Sequence, residues 1–182
     1  LTRQQVDALF STTRECGANA AINRWQELPA TQDWPFGAIA LHGRNSASGT
    51  YGLFQQRALC GGEFSPTLSQ HPGDSAVVAA VGESPGSIGY AGYHHLTPNV
   101  KAVSLINAEG QAIALSENSV QSGDYPLSRY LYLYVNAPPE QPLPTAEKAL
   151  LDLIFSPEGQ QIARSAGFVP LSETVRQQQA HW

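Results

Sequence analysis

Gly43-Arg44-Asn45-Ser46-Ala47-Ser48-Gly49-Thr50 stands between two apolar stretches. Upstream, Ala38–His42 reads as a short strand, and downstream Tyr51–Leu59 reads as a helix. A helix start leaves free backbone N–H groups and a partial positive charge, so an anion is stabilised there. Gly49 lets the backbone approach a ligand closely, and the Ser48 and Thr50 hydroxyls add donors. Arg44 supplies a planar two-pronged partner for a tetrahedral oxyanion. The same eight residues also suit a capped turn with a surface arginine, so both readings stay open at this point. Two transfer chemistries are excluded. The loop lacks the Gly-Lys-Ser/Thr of a Walker A phosphate loop and the Gly-x-Ser-x-Gly of a nucleophile elbow. With no phosphate-activating Lys nearby, an anion would be held and not transferred.

Outward from the loop, strands and helices alternate, which predicts an α/β fold with a mixed sheet flanked by helices. Thr2 followed by Gln5 is a capping-box pattern that predicts a helix over Arg3–Ser11. Ile22–Leu28 suggests a short helical turn carrying Trp25. Asp74 is placed to cap a small apolar helix, Ser75–Val81. Ser87–Gly92 and Lys101–Ile106 read as strands separated by a loop at His94–Asn99, and Gly110–Tyr125 is polar and turn-rich. Leu127–Asn136, dense in Leu, Tyr and Val, is the strongest strand signal in the chain. Pro144–Phe155 is amphipathic, Ser156 with Pro157 opens a helix running to Gly167, and Leu171–Gln179 reads as a last exposed helix. The Pro-rich stretch Ala137–Pro144 reads as a crossing loop.

The 182 residues suit one domain, or one domain and a piece of another. A formal charge of −5 argues against a generic nucleic-acid binder, which needs a basic face to displace counterions. No apolar run approaches the roughly 18 residues that span a bilayer, which predicts a soluble chain. The chain has no Met and starts at Leu1, so a processed or excised product is expected, and Leu1–Phe10 is not patterned as a signal peptide. Cys16 and Cys60 are too few for a zinc site and too far apart for a redox pair. Counting alone leaves them as one structural disulfide or two unrelated thiols.

Other clusters read as structure. His94-His95 lacks a third ligand at metal spacing, so no metal is expected. Tyr130, Tyr132 and Tyr134 alternate onto one strand face and, with Tyr125, suit packing better than an aromatic platform. Glu117 and Asp124 are read as solvated acids, not a glycosidase pair. A serine hydrolase built on Ser48 has no base positioned by the sequence.

Arg44-Asn45-Ser46-Ala47-Ser48-Gly49-Thr50, with five further ordered segments, resembles the phosphate-binding subunits of bacterial phosphate ABC importers, the PstS-like type II periplasmic binding proteins. Leu1-Thr2 through Leu9-Phe10-Ser11 resembles the helix that opens that family's second lobe. Gly86-Ser87-Ile88-Gly89-Tyr90 is similar to its "PGAIGY" strand, and Tyr125-Pro126-Leu127-Ser128-Arg129 to the "YPLSRP" start of its return strand. Ser156-Pro157-Glu158-Gly159-Gln160 and Gly167-Phe168-Val169-Pro170-Leu171 match its C-terminal helix and tail.

The resemblance implies a non-enzymatic protein without a cofactor that binds inorganic phosphate or a similar oxyanion and delivers it to an ABC permease. Arg44 would be the guanidinium ligand and Ser48 would give its hydroxyl. Gly49 and Thr50 would give backbone N–H groups, Thr50 its hydroxyl as well. Ser46 stands where many relatives have an Asp that pairs with the arginine, which implies a looser Arg44. A periplasmic location is implied, and it favours a Cys16–Cys60 disulfide. Residues 1–125 would form the second lobe, and 126–182 the return strand and helices that complete a first lobe, leaving this chain with half a site. Leu131, Leu133, Val135, Leu150, Leu153 and Ile154 would then pack on the second lobe, meet a second copy in a homodimer, or stay exposed. An interaction or scaffold module with a degenerate ligand site is the alternative.

Overall fold

Thr2 opens the first helix, α1 (Arg3–Phe10), in the way its spacing predicts: its hydroxyl accepts the Gln5 N–H at 3.1 Å, and the Gln5 side-chain oxygen accepts the Thr2 N–H at 2.8 Å. Val6, Leu9 and Phe10 recur on one face and are buried. This computed structural model describes residues 1–136 and 141–179. The chain divides into two units, one of Leu1–Leu115 with Tyr125–Leu127, the other of Ser116–Asp124 with the described residues from Ser128 onward.

The first unit is built on a parallel sheet of three strands, β1 (Ala40–Arg44), β2 (Ser69–His71) and β3 (Ser87–Gly89), in the order β2-β1-β3. The register sets Arg44 beside His71, and His42 between Ser69 and Gly89. Two helices follow their strands: α2 (Gly49–Ala58) after β1, and α3 (Asp74–Glu83) after β2. Gly89 shows why α3 comes close, since a Cβ there would lie about 3 Å from Val77 and Val81. On the other face Leu41, Ile88 and Tyr90 join Phe10, Phe54 and Leu59 in one buried cluster. Tyr90 stacks on Phe54 with ring centroids 4.0 Å apart, and Phe10 meets both rings edge-on. An antiparallel pair, β4 (Leu105–Ile106) and β5 (Ala112–Ile113), completes the unit, and the Ile106 N–H donates to the Leu1 carbonyl at 2.8 Å.

Cys16 and Cys60 are bonded. The bridge ties the loop after α1 to the residue beyond the end of α2, and the buried Asp7 carboxylate accepts the Cys16 N–H at 2.8 Å.

The second unit holds α4 (Glu117–Gln121), α5 (Thr145–Phe155), α6 (Pro157–Ser165) and α7 (Glu173–Gln179). Ser156 caps α6 by accepting the Gly159 N–H at 3.0 Å, with Pro157 at the first position. Gly159 is required at this corner, because a Cβ there would fall 1.9 Å from the Leu153 carbonyl oxygen. Arg164 of α6 pairs with Glu117 of α4 at 2.6 Å.

Several expectations are corrected. Leu127–Asn136 is not a strand: Tyr125–Leu127 lies in a turn and residues 128–136 have no regular structure. A strand must pair its N–H and C=O groups with a neighbour, and among the described residues none runs beside it. Leu131, Leu133 and Val135 are consequently exposed, as are Leu150 and Leu153, while Ile154 is half-buried. Lys101–Ile106 and Ser87–Gly92 shorten to β4 and β3. Trp25 sits in a 3-10 turn, Trp25–Glu27, followed by another at Pro29–Thr31, and a further one, Tyr93–His95, overlaps the start of the expected His94–Asn99 loop. The polar Gly110–Tyr125 stretch carries β5 and α4. Of the Ala137–Pro144 loop, residues 137–140 lie outside the described residues.

The disulfide closes a sequence separation of 44 residues. A loop of that size implies a loss of about 4 kcal/mol of stability on reduction, in the chain-entropy account. Urea unfolding of the oxidised chain and of Cys16→Ser/Cys60→Ser is expected to differ by roughly 3–4 kcal/mol.

Candidate anion-binding site

β1 delivers Arg44 to the C-terminal edge of the sheet, and the chain then turns into α2. The Asn45 N–H donates to the His71 carbonyl at 3.1 Å, and the Ser48 N–H closes a turn on the Asn45 carbonyl at 3.1 Å. Ser48 is the N-cap of α2, with extended backbone and its Oγ accepting the Thr50 N–H at 3.1 Å. That leaves the Ser48 hydroxyl hydrogen to donate outward. Gly49 is exposed, and a Cβ there would meet nothing within 4 Å. Gly49 is the first residue of α2, and no side chain crowds its solvent-facing side. Arg44, Ser48, Gly49 and Thr50 are together at one strand-to-helix corner, although the Thr50 N–H is already taken by Ser48.

Arg44 is firmly held, which corrects the expectation that Ser46 leaves it loose. Its guanidinium pairs with Asp74, the first residue of α3, and its Nη2 donates to the Pro72 carbonyl at 3.1 Å. The two side chains are only 16% and 13% exposed. The other carboxylate oxygen of Asp74 accepts the Gly92 N–H at 2.7 Å, so one carboxylate joins the end of β1, the start of α3 and the segment after β3. The Arg44 Nε is buried with no protein partner, a donor left for something else.

Tyr90 sets the backbone under Arg44. Its hydroxyl donates to the Arg44 carbonyl at 3.2 Å, and its ring occupies the space a Cβ on Gly43 would need, 2.3 Å from the nearest ring carbon. Burial of the ring raises the Tyr90 pKa.

Sequence reasoning missed Asp74 as the partner of Arg44. It assigned Asp74 to helix capping, yet Gly73 is the N-cap and the carboxylate turns to the arginine. Only the strand order β2-β1-β3, which puts the start of α3 beside the end of β1, brings them together. His42 and His71 were also missed. The remaining candidates do not build a second site. His94 and His95 lie with ring centroids 4.1 Å apart, and among the described residues no three metal-ligating side chains converge. Glu117 is committed to Arg164, and Asp124 accepts the Ser122 hydroxyl at 2.7 Å. Tyr125 donates to the Val103 carbonyl at 3.0 Å in the first unit, while Tyr130, Tyr132 and Tyr134 belong to the second. Among the described residues no imidazole bonds Ser48.

The parallel sheet with a helix following each of its first two strands, and the serine-capped helix start beside Arg44, describe an α/β lobe with a candidate anion corner. Residues 1–158 match the family model described as the PBP superfamily domain, and the chain belongs to that superfamily. It is 45% identical over 176 residues to the phosphate-binding protein PstS of Pseudomonas aeruginosa, covering 96% of this chain and 54% of that protein. The chain thus spans about half the length of the curated relatives it matches. Two solved structures share the fold. One, from Clostridium perfringens and carrying bound phosphate, gives a TM-score of 0.67 at 22% identity over 94% of this chain and 63% of that one. The other, an ABC-type phosphate transport receptor from Vibrio cholerae, gives 0.64 at 18% identity over 93% and 63%.

Removing the Asp74 carboxylate strands a mostly buried guanidinium and the Gly92 N–H together. Asp74→Ala is expected to cost about 2–4 kcal/mol in urea unfolding. Asp74→Asn, which keeps an acceptor for Gly92, is expected to cost less.

Proposed function

We propose that this chain carries one half of a site for inorganic phosphate, or a similar oxyanion, in the substrate-binding component of an ABC importer. The observation that carries the reading is the fixed Arg44 fork beside the open N-terminus of α2. Arg44 would hold two ligand oxygens, and the Ser48 hydroxyl and the Gly49 N–H would add donors from the helix end. The Thr50 hydroxyl lies one residue further on, and its N–H would reach the ligand only by leaving Ser48. Relatives named as phosphate-binding proteins support the choice of anion. The donors of this corner suit holding an oxyanion, and the same relatives support a binding role. Residues 1–125 then act as the second lobe, and 126–182 as the part that completes a first lobe. The protein works in the periplasm, where the Cys16–Cys60 bond is stable, and its partner is the permease.

The exposed leucines and tyrosines of the second unit favour a second reading, an interaction module or a homodimer that uses this apolar surface.

Calorimetric titration with phosphate, on this chain and on a form with the full length of its relatives, separates the two. Phosphate is expected to bind the longer form tightly and this chain weakly, because half a site leaves the anion facing water. Arg44→Ala is expected to weaken binding by about 10- to 100-fold in either. No phosphate binding by the longer form, together with a phosphate-independent dimer in sedimentation, would leave the interaction module standing.

A further inference from the structure

His42 and His71 meet on the face of the sheet that carries Arg44. His42 precedes Arg44 by two residues on β1, and His71 is the register partner of Arg44 on β2, so the alternation of strand side chains puts all three on one face. That face is the one α3 covers, since Gly89, paired with His42, turns toward Val77 and Val81. The His42 Nδ1 lies 3.1 Å from the His71 Nε2. At that distance one nitrogen must carry a hydrogen and the other a lone pair. The His42 Nε2 is buried without a partner, which favours leaving it bare and placing the bridging hydrogen on the His42 Nδ1. The half-buried pair is then neutral, and burial together with the neighbouring imidazole lowers the His42 pKa.

The charges around the pair make its proton matter. Arg44 from β1 and Asp74 from α3 cancel. β3 contributes Ser87 and Gly89, neither of them charged, and beyond it the ring of His94 lies near Asp74. An anion that reaches the Arg44 fork therefore meets an ion pair with no net charge, and the imidazole pair is a source of positive charge on the same sheet face.

We propose that the His42–His71 pair takes up one proton when an oxyanion binds at Arg44, making anion affinity at this site rise as the pH falls. The proposal rests on the phosphate reading and assigns that site its regulation. The proton comes from solvent and lands on the His42 Nε2, giving an imidazolium that still donates through Nδ1 to His71; burial of that unpartnered N–H disfavours it until the anion's charge is present. A second proton would set two N–H groups against each other, so the pair accepts only one. The sign follows from linkage: an anion that favours the charged pair raises its pKa, and affinity gains below that raised value and is lost above it.

The test is an NMR pH titration of the imidazoles of the 182-residue chain from pH 5 to 8, with and without phosphate at tens of millimolar, following the Arg44 Nε–H and the Gly49 amide as reporters of binding. Phosphate is expected to move the two reporters and to raise the His42 titration midpoint by about half a unit or more. That shift corresponds to about threefold tighter binding at the acid end. His71→Gln is expected to abolish the shift at His42. Reporters that move while the imidazole midpoints stay put overturn the proposal and leave the phosphate site intact. Reporters that do not move show no anion at Arg44 in this chain and overturn the proposal, while the phosphate reading is decided by the calorimetry of the longer form.

Discussion

Tyr90 packed against Gly43 is the contact around which the first unit is arranged. With any larger residue at 43 the ring would be driven off the strand, for a Cβ would sit inside its van der Waals shell. In place, the ring stacks on Phe54 of α2 and faces Phe10 of α1, and its hydroxyl reaches the Arg44 carbonyl. One side chain from just beyond β3 thereby fixes the height of α2 against the end of β1. The distance between an arginine on a strand and the N–H groups of a helix is what an anion site has to control. Here it is controlled by an aromatic ring and not by the loop, which leaves Ser46, Ala47 and Gly49 free to line an open corner.

Local signals in the sequence were legible because they are satisfied locally. Thr2 with Gln5, and Ser156 with Pro157, each complete their hydrogen bonds within one turn of helix, and both helices begin where those residues say. The Arg44–Thr50 loop was legible for the same reason, as strand end, cap and helix start are contiguous. Asp74 was not, since its partner lies 30 residues away and adjacency depends on the parallel order β2-β1-β3. The His42–His71 contact fails for the same cause: neither histidine has a sequence neighbour that marks it, and only register brings them together. Leu127–Asn136 is the opposite case, where propensity spoke clearly for a strand but a strand is a property of two chains of backbone.

The two units differ in how much of their apolar surface they hide. The first buries a contiguous cluster from α1 to β4, whereas among the described residues of the second only Leu151 is a buried hydrophobic. Its helices are joined mainly by polar links, such as Arg164 with Glu117, and Gln160, whose side chain bonds both the Ile154 carbonyl and the Leu171 N–H. Such links fix orientation while adding little net stability. The first unit therefore carries the fold's stability, and the second offers surface.

The bond between Cys16 and Cys60 has a topological effect as well as an energetic one. The two residues bracket β1, the whole Arg44–Thr50 corner and α2, so that the candidate site is part of a closed covalent ring. A protease that cuts at the exposed Ser46 or Ala47 would open the ring without releasing either end. The nicked protein would still migrate as one molecule until reductant is added, keeping Arg44 and Ser48 tethered on opposite sides of the break.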